Sequence, residues 1–142
     1  MIPAARVFFE EVSSACAATA DALGLTGPHE TERVMPVAAY KGDGVSYRVR
    51  LDDTEGSVEC GVMVETDTGM LTTDIETLAL AVRAVDRRGA VSYSARNVEQ
   101  LRKSLLGQAE YVRLVHPFLT GGDPEGVLRR AGAREWRKDD GS

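Results

Sequence analysis

Cysteine, histidine and lysine are scarce in this chain, with two, two and three residues in 142. Two cysteines, Cys16 and Cys60, make no disulfide framework. No Cys-x-x-Cys occurs. The stretch His29-Glu30-Thr31-Glu32-Arg33 starts like a zinc-protease helix but carries Arg where the second imidazole would stand, so no metal site is expected. Long apolar runs are missing too: none approaches the roughly 18 residues of a membrane span. The opening MIPAARVFFEEV has no basic stretch followed by an unbroken apolar one. No signal peptide and a cytoplasmic location are the expectation.

Positive charge is also short. Against 22 Asp and Glu stand 17 Lys and Arg, a net of −5, which opposes binding to nucleic acid, where clustered cations displace counterions. Phosphate-binding glycine loops are absent. TGGDPEG at 120–126 places glycines ahead of a helix start, but Asp123 would put its own carboxylate there as the cap. No Gly-x-Ser-x-Gly elbow is found. Asp52-Asp53-Thr54-Glu55-Gly56 lacks the alternation of a calcium loop and reads as a charged hairpin turn. No cofactor is implied.

The apolar share of 43% and charged share of 27% are those of an ordinary globular domain. One domain over 1–137 with a flexible tail at 138–142 is expected. In 3–23, Phe8, Val12, Ala15, Cys16, Thr19, Ala22 and Leu23 recur with a helical period, and Gly24 can end the helix. GLTGPHETE then reads as a loop. RVMPVAAY at 33–40 is a strand candidate weakened by Pro36, which belongs at an edge or a break.

The clearest signal is VSYRVRLDDTEGSVECGVMVE. Pairing Leu51 with Val58 also pairs Val49 with Cys60, Tyr47 with Val62 and Val45 with Val64, so every inward residue agrees in one register. That register sets Arg50 opposite Glu59 on the outer face. With the 58–65 strand as the available edge, a three-stranded antiparallel meander results. TTDIETLALAVRAVDRRG carries a capping-box spacing, Thr73 to Glu76, and an apolar stripe. Asn97 with Gln100 caps another helix ending near His116-Pro117, where His116 would act as a cation at the helix end. Asp123-Pro124 starts a short helix that Gly132 closes. The fold expected is α+β: an N-terminal helix, the meander, then two or three helices packed on one sheet face.

No catalytic residue emerges. Both cysteines fall on core stripes, where thiols are inert. Exposed carboxylates such as Glu59 and Glu65 lack a desolvated pocket to separate their pKa values. Residues 1–71 carry 5 basic and 12 acidic side chains, a net of −7, while 72–142 carry 12 and 10, a net of +2.

The motifs F-F-E-E-V, Y-x-G-D-G-V-x-Y-x-V-x-L-D-D and L-T-G-G-D-P together resemble those of small bacterial proteins of toxin systems, many of them immunity proteins. That resemblance implies a non-enzymatic binder whose partner is a protein, a basic toxin domain, met through an acidic face. The residues expected to bind it are Asp43, Arg48, Asp52, Asp53, Glu55, Glu59, Glu65 and Asp67. Two other classes compete with it. One is a ligand-binding or enzymatic domain with a pocket between sheet and helices; the other is a homo-oligomeric subunit joined at a sheet edge.

Overall fold

The computed structural model describes residues 2–138. Helix α1 (Ala5–Leu23) leads into six strands and three further helices: β1 (Thr26–Glu32), β2 (Pro36–Gly42), β3 (Val45–Asp52), β4 (Ser57–Glu65), β5 (Gly69–Asp74), α2 (Ile75–Ala81), α3 (Val98–Leu119), α4 (Pro124–Arg130) and β6 (Arg134–Arg137). The strands form one antiparallel sheet in the order β1-β2-β3-β4-β5-β6. The α+β class is as expected, but the sheet has twice the strands that the meander implied.

The register of β3 on β4 is the one read from side-chain alternation, down to Leu51–Val58 and Arg50–Glu59. Asp43 and Gly44 both have positive φ, 57° and 80°, and form the two-residue turn that suits the twist of a hairpin. β4 is not an edge, because β5 pairs along its other side. Nor is β2: the supposed loop after α1 is β1, and Pro36 sits at the hairpin end opposite Glu32. β1 was hidden because it has no buried column to alternate; six of its seven residues are exposed. A bulge lies between Thr26 and His29, where Gly27 passes so close to β2 that a Cβ would stand 2.5 Å from the Ala39 carbonyl oxygen.

All four helices cover one face. Phe8, Val12 and Cys16 of α1, Leu101, Leu105 and Val112 of α3, Ile75 and Leu78 of α2 and Leu128 of α4 share a single core with the inward strand residues. Gly24 ends α1 in the left-handed region, φ 69°. Asn97 caps α3 as expected, accepting from the Gln100 N–H at 2.8 Å. Asp123 caps α4 through the Gly126 N–H. α2 is capped otherwise than expected. Asp74, not Thr73, accepts from the Thr77 N–H, while Glu76 is buried with Arg88 3.4 Å away. α3 runs past Pro117 to Leu119, although the proline gives up one i→i−4 hydrogen bond there.

β5 ends where α2 begins, so the far half of β4 has no strand beside it. Gln108 of α3, 2% exposed, fills that place. Its amide oxygen accepts from the Cys60 N–H at 2.7 Å, and its nitrogen donates to the Val58 carbonyl at 3.1 Å and to Ser104 Oγ at 2.9 Å. One side chain acts as a rung of a missing strand. Beyond it, the Val58 N–H donates to the Tyr93 carbonyl and the Ala95 N–H to the Gly56 carbonyl. Of the tail expected at 138–142, Lys138 is tied down, its N–H donating to the Thr68 carbonyl at 2.7 Å. Residues 139–142 lie outside the described residues.

Candidate functional site: the open face of the sheet

Among the described residues no helix covers the second face of the sheet, and its residues follow from the strand pairings as rows across the strands. One row is Val37, Arg50, Glu59. The next is Ala39, Arg48, Gly61, Asp74. Then come Lys41, Ser46, Met63, Thr72, Arg134, and finally Glu65, Met70, Trp136. Part of this face forms a groove of about 630 Å³ lined by Val37, Arg48, Arg50, Glu59, Gly61, Met70, Thr72, Thr73, Asp74, Arg134 and Trp136.

Gly61 is the floor. A Cβ built there would meet nothing nearer than 3.9 Å, from the Arg48 and Thr73 carbonyl oxygens. Neither crowding nor a left-handed φ demands glycine at this point of a central strand. Glycine weakens a strand interior and often marks close approach by a ligand or another backbone. The groove is deep because this residue has no side chain.

Trp136 is the wall. Gly69 opposite Arg137 lets β6 approach: a Cβ on Gly69 would stand 1.8 Å from the Trp136 carbonyl oxygen. The indole Nε1–H donates to Thr72 Oγ1 at 3.1 Å, and the Arg134 guanidinium stacks 3.9 Å from the ring centroid. Such stacking is worth about 0.5–1 kcal/mol at an exposed site. The ring is therefore held in place while 45% exposed beside Met70, itself 37% exposed. Two large, exposed apolar side chains stand together at this end of the face.

Arg48 and Arg50 point from the same side of β3. Among the described residues neither has a carboxylate within 4 Å, so the Arg50–Glu59 register holds without an ion pair. Burial against the groove raises the Glu59 pKa, the Asp74 carboxylate raises it further, and Arg50 opposes both. Asp74 is occupied as the cap of α2, its two oxygens bonded to the Thr77 N–H and hydroxyl.

The eight residues expected from the sequence are thus not one acidic face. Arg48 and Glu59 lie in the groove. Asp52, Asp53 and Glu55 belong to the β3–β4 turn, where Asp52 Oδ1 accepts from the Thr54 and Glu55 N–H groups. Asp43, Glu65 and Asp67 sit at the opposite end of the sheet, about 26 Å away along the eight residues of β3. Asp43 faces His116 rather than solvent alone.

His116 is 3% exposed, in the last turn of α3, with Nδ1 2.6 Å from the Tyr47 hydroxyl and Nε2 3.0 Å from Asp43 Oδ2. The Asp43 carboxylate can only accept, so Nε2 carries a proton, while Nδ1 shares a hydrogen bond with the Tyr47 hydroxyl. Rather than standing free at a helix end, it is a buried clamp between helix, strand and turn. Tyr47 reaches a ring nitrogen instead of a backbone carbonyl, and burial drives its pKa strongly upward. It lines a cavity of about 20 Å³, shared with Cys16, Tyr40 and Cys60 between sheet and helices. That holds about one water, against the roughly 300–1,000 Å³ of ligand pockets. Burial also pushes the Cys16 thiol up to about 11 and that of Cys60 higher still.

No known family, curated protein or solved structure matches this chain. Among the described residues no group of three or more His, Cys, Asp or Glu is placed to hold a metal ion. No helix among them is long and apolar enough to cross a membrane. The signals that reveal the groove in the sequence are slight: Gly61 inside a strongly alternating strand, and a lone Trp between arginines near the end.

Proposed function

We propose that this chain is a non-enzymatic protein-binding module whose docking surface is the open face of the sheet. The observation that carries the reading is Gly61, a glycine that neither crowding nor backbone conformation requires, flooring a groove walled by a fixed and exposed Trp136. Preorganised aromatic and arginine side chains around a concavity are the groups that dominate protein interfaces. Of the two threonines lining the groove, Thr72 is engaged with the indole.

An immunity protein that neutralises a toxin is the narrower form of this reading. Asp53, Glu55, Glu65 and Asp67 form no ion pair among the described residues and stand at the two ends of the groove-bearing sheet. They would steer the basic parts of a toxin domain toward it.

A photo-crosslinking amino acid at Met70 tests the proposal in producing cells, with the same residue at Arg113 on α3 as control. A discrete adduct with one identified protein from position 70 alone is expected. Adducts with a basic toxin domain would support the narrower form, whereas an adduct of two copies of this chain would favour the homo-oligomer. Equal labelling from position 113, or none from 70, would refute docking on this face.

A further inference from the structure

Resting on that docking surface, we infer that the segment entering the groove is an extended acidic stretch of a protein partner, anchored at one end by an apolar residue. Three guanidinium groups border the groove, from Arg48, Arg50 and Arg134, against two carboxylates, Glu59 and Asp74. Among the described residues neither carboxylate forms an ion pair with these guanidiniums. Asp74 caps α2, and neither Arg48 nor Arg50 has a carboxylate within 4 Å among the described residues. The groove therefore presents free fork-shaped donors whose natural counterpart is a carboxylate.

The spacing specifies the shape of the occupant. Arg48 and Arg50 are alternate residues of one strand, about 6.6–6.8 Å apart, which is also the separation of alternate side chains in an extended peptide. Two acids at positions i and i+2 meet both arginines. Trp136 and Met70 lie on the far side, β3 and β6 being three strand spacings apart, about 14 Å. A chain joining the two regions crosses β4 at Gly61, where no side chain blocks its path. An apolar side chain packs on the indole, and the acids reach the arginines a few residues away. Single-stranded nucleic acid would also be drawn to arginines and tryptophan, but it needs successive aromatic platforms. This face has one, and two carboxylates share the floor with the cations.

The test is a selection of random twelve-residue peptides displayed on phage against the immobilised full chain. Enriched sequences are then synthesised and titrated with the emission of Trp136, the chain's single tryptophan, as the signal. The expected result is enrichment of peptides with acids two residues apart and an aromatic or aliphatic residue several positions away. Arg48→Glu with Arg50→Glu should weaken them by about tenfold or more per lost contact. The same double variant should gain affinity for versions with lysine at the acid positions. Enriched peptides that need Gly61 but are neutral or basic would overturn the acidic partner while leaving the docking surface standing. No enrichment dependent on Gly61 would overturn both. Tight binding of a fluorescent oligothymidylate with the same dependence on Arg48 and Arg50 would replace the protein partner by nucleic acid.

Discussion

Replacing Gly61 by Val separates folding from binding, because the two respond in opposite directions. The backbone there is not left-handed, and the nearest atoms to a new Cβ are 3.9 Å away. Val adds no backbone strain. It removes the extra freedom of glycine in the unfolded chain, worth about 0.5–1 kcal/mol, and it suits a pleated, half-buried position. A gain of about 1 kcal/mol corresponds to roughly 3–5 °C in Tm for a domain of this size. The isopropyl group meanwhile rises between Arg48 and Asp74 on the groove floor, where a partner's backbone would pass. Overfilling a packed contact by that volume costs about 1–3 kcal/mol, or about 5- to 150-fold in affinity. Thermal and urea unfolding read the first effect, and titration of a selected peptide followed by Trp136 emission reads the second. If the variant is destabilised by a kilocalorie or more, Gly61 serves the fold and the case for a groove built to be occupied collapses. Unchanged affinity in a stable variant would be as damaging.

Four further outcomes follow from the geometry. His116→Ala strands the buried Tyr47 hydroxyl and leaves a void, so urea unfolding should show a loss of about 3 kcal/mol, while Asp43→Asn should lose well under half of that. Gln108→Leu deprives the Cys60 N–H and Val58 carbonyl of their partners, and a loss of about 2–4 kcal/mol is expected, with faster hydrogen exchange at Cys60. Gly69→Ala forces β6 off β5, so Trp136 emission should shift to the red and peptide binding should vanish while the circular dichroism of the helices persists. The two thiols, raised by burial, stabilise the fold below their unfolded pKa. Between about pH 9 and about pH 11 for Cys16 that contribution is lost as the unfolded state ionises first, at up to about 1.4 kcal/mol per pH unit and thiol. Alkaline urea titrations should show this, and neither thiol should react with a chromogenic disulfide in the native protein at neutral pH.

Legibility tracked burial on one side. The β3–β4 register could be read residue by residue because Val45, Tyr47, Val49 and Leu51 alternate with polar residues and face a matching column. β1 and β6 carry almost no buried side chains, so TGPHETE and REWR left no period to find. β5 was masked by its own brevity and by a capping-box pattern at Thr73 that the chain does not use. The candidate site was half visible. Arg50 and Glu59 fall on the outer face, as the register predicts. Gly61 passed as one more outward residue, and Trp136 could be joined to them only through two strands that the sequence did not announce. The Tyr47–His116–Asp43 clamp links residues 69 and 73 positions apart, and no local spacing encodes it. Opposition in register also proved weaker than pairing, since Arg50 faces Glu59 without an ion pair.

The sheet is laid down in strict chain order, β1 to β6, with the helical layer on one side. Its last strand is four residues long, held along a single neighbour, and supplies both Arg134 and Trp136 to the groove. The core closes through residues that all precede β6. The groove is therefore completed only when β6 joins β5, a strand about sixty residues earlier in the chain, after the residues that build the core. Unpairing those four residues, by a competing strand or a cut near Ala133, would remove one wall of the groove and leave the core intact.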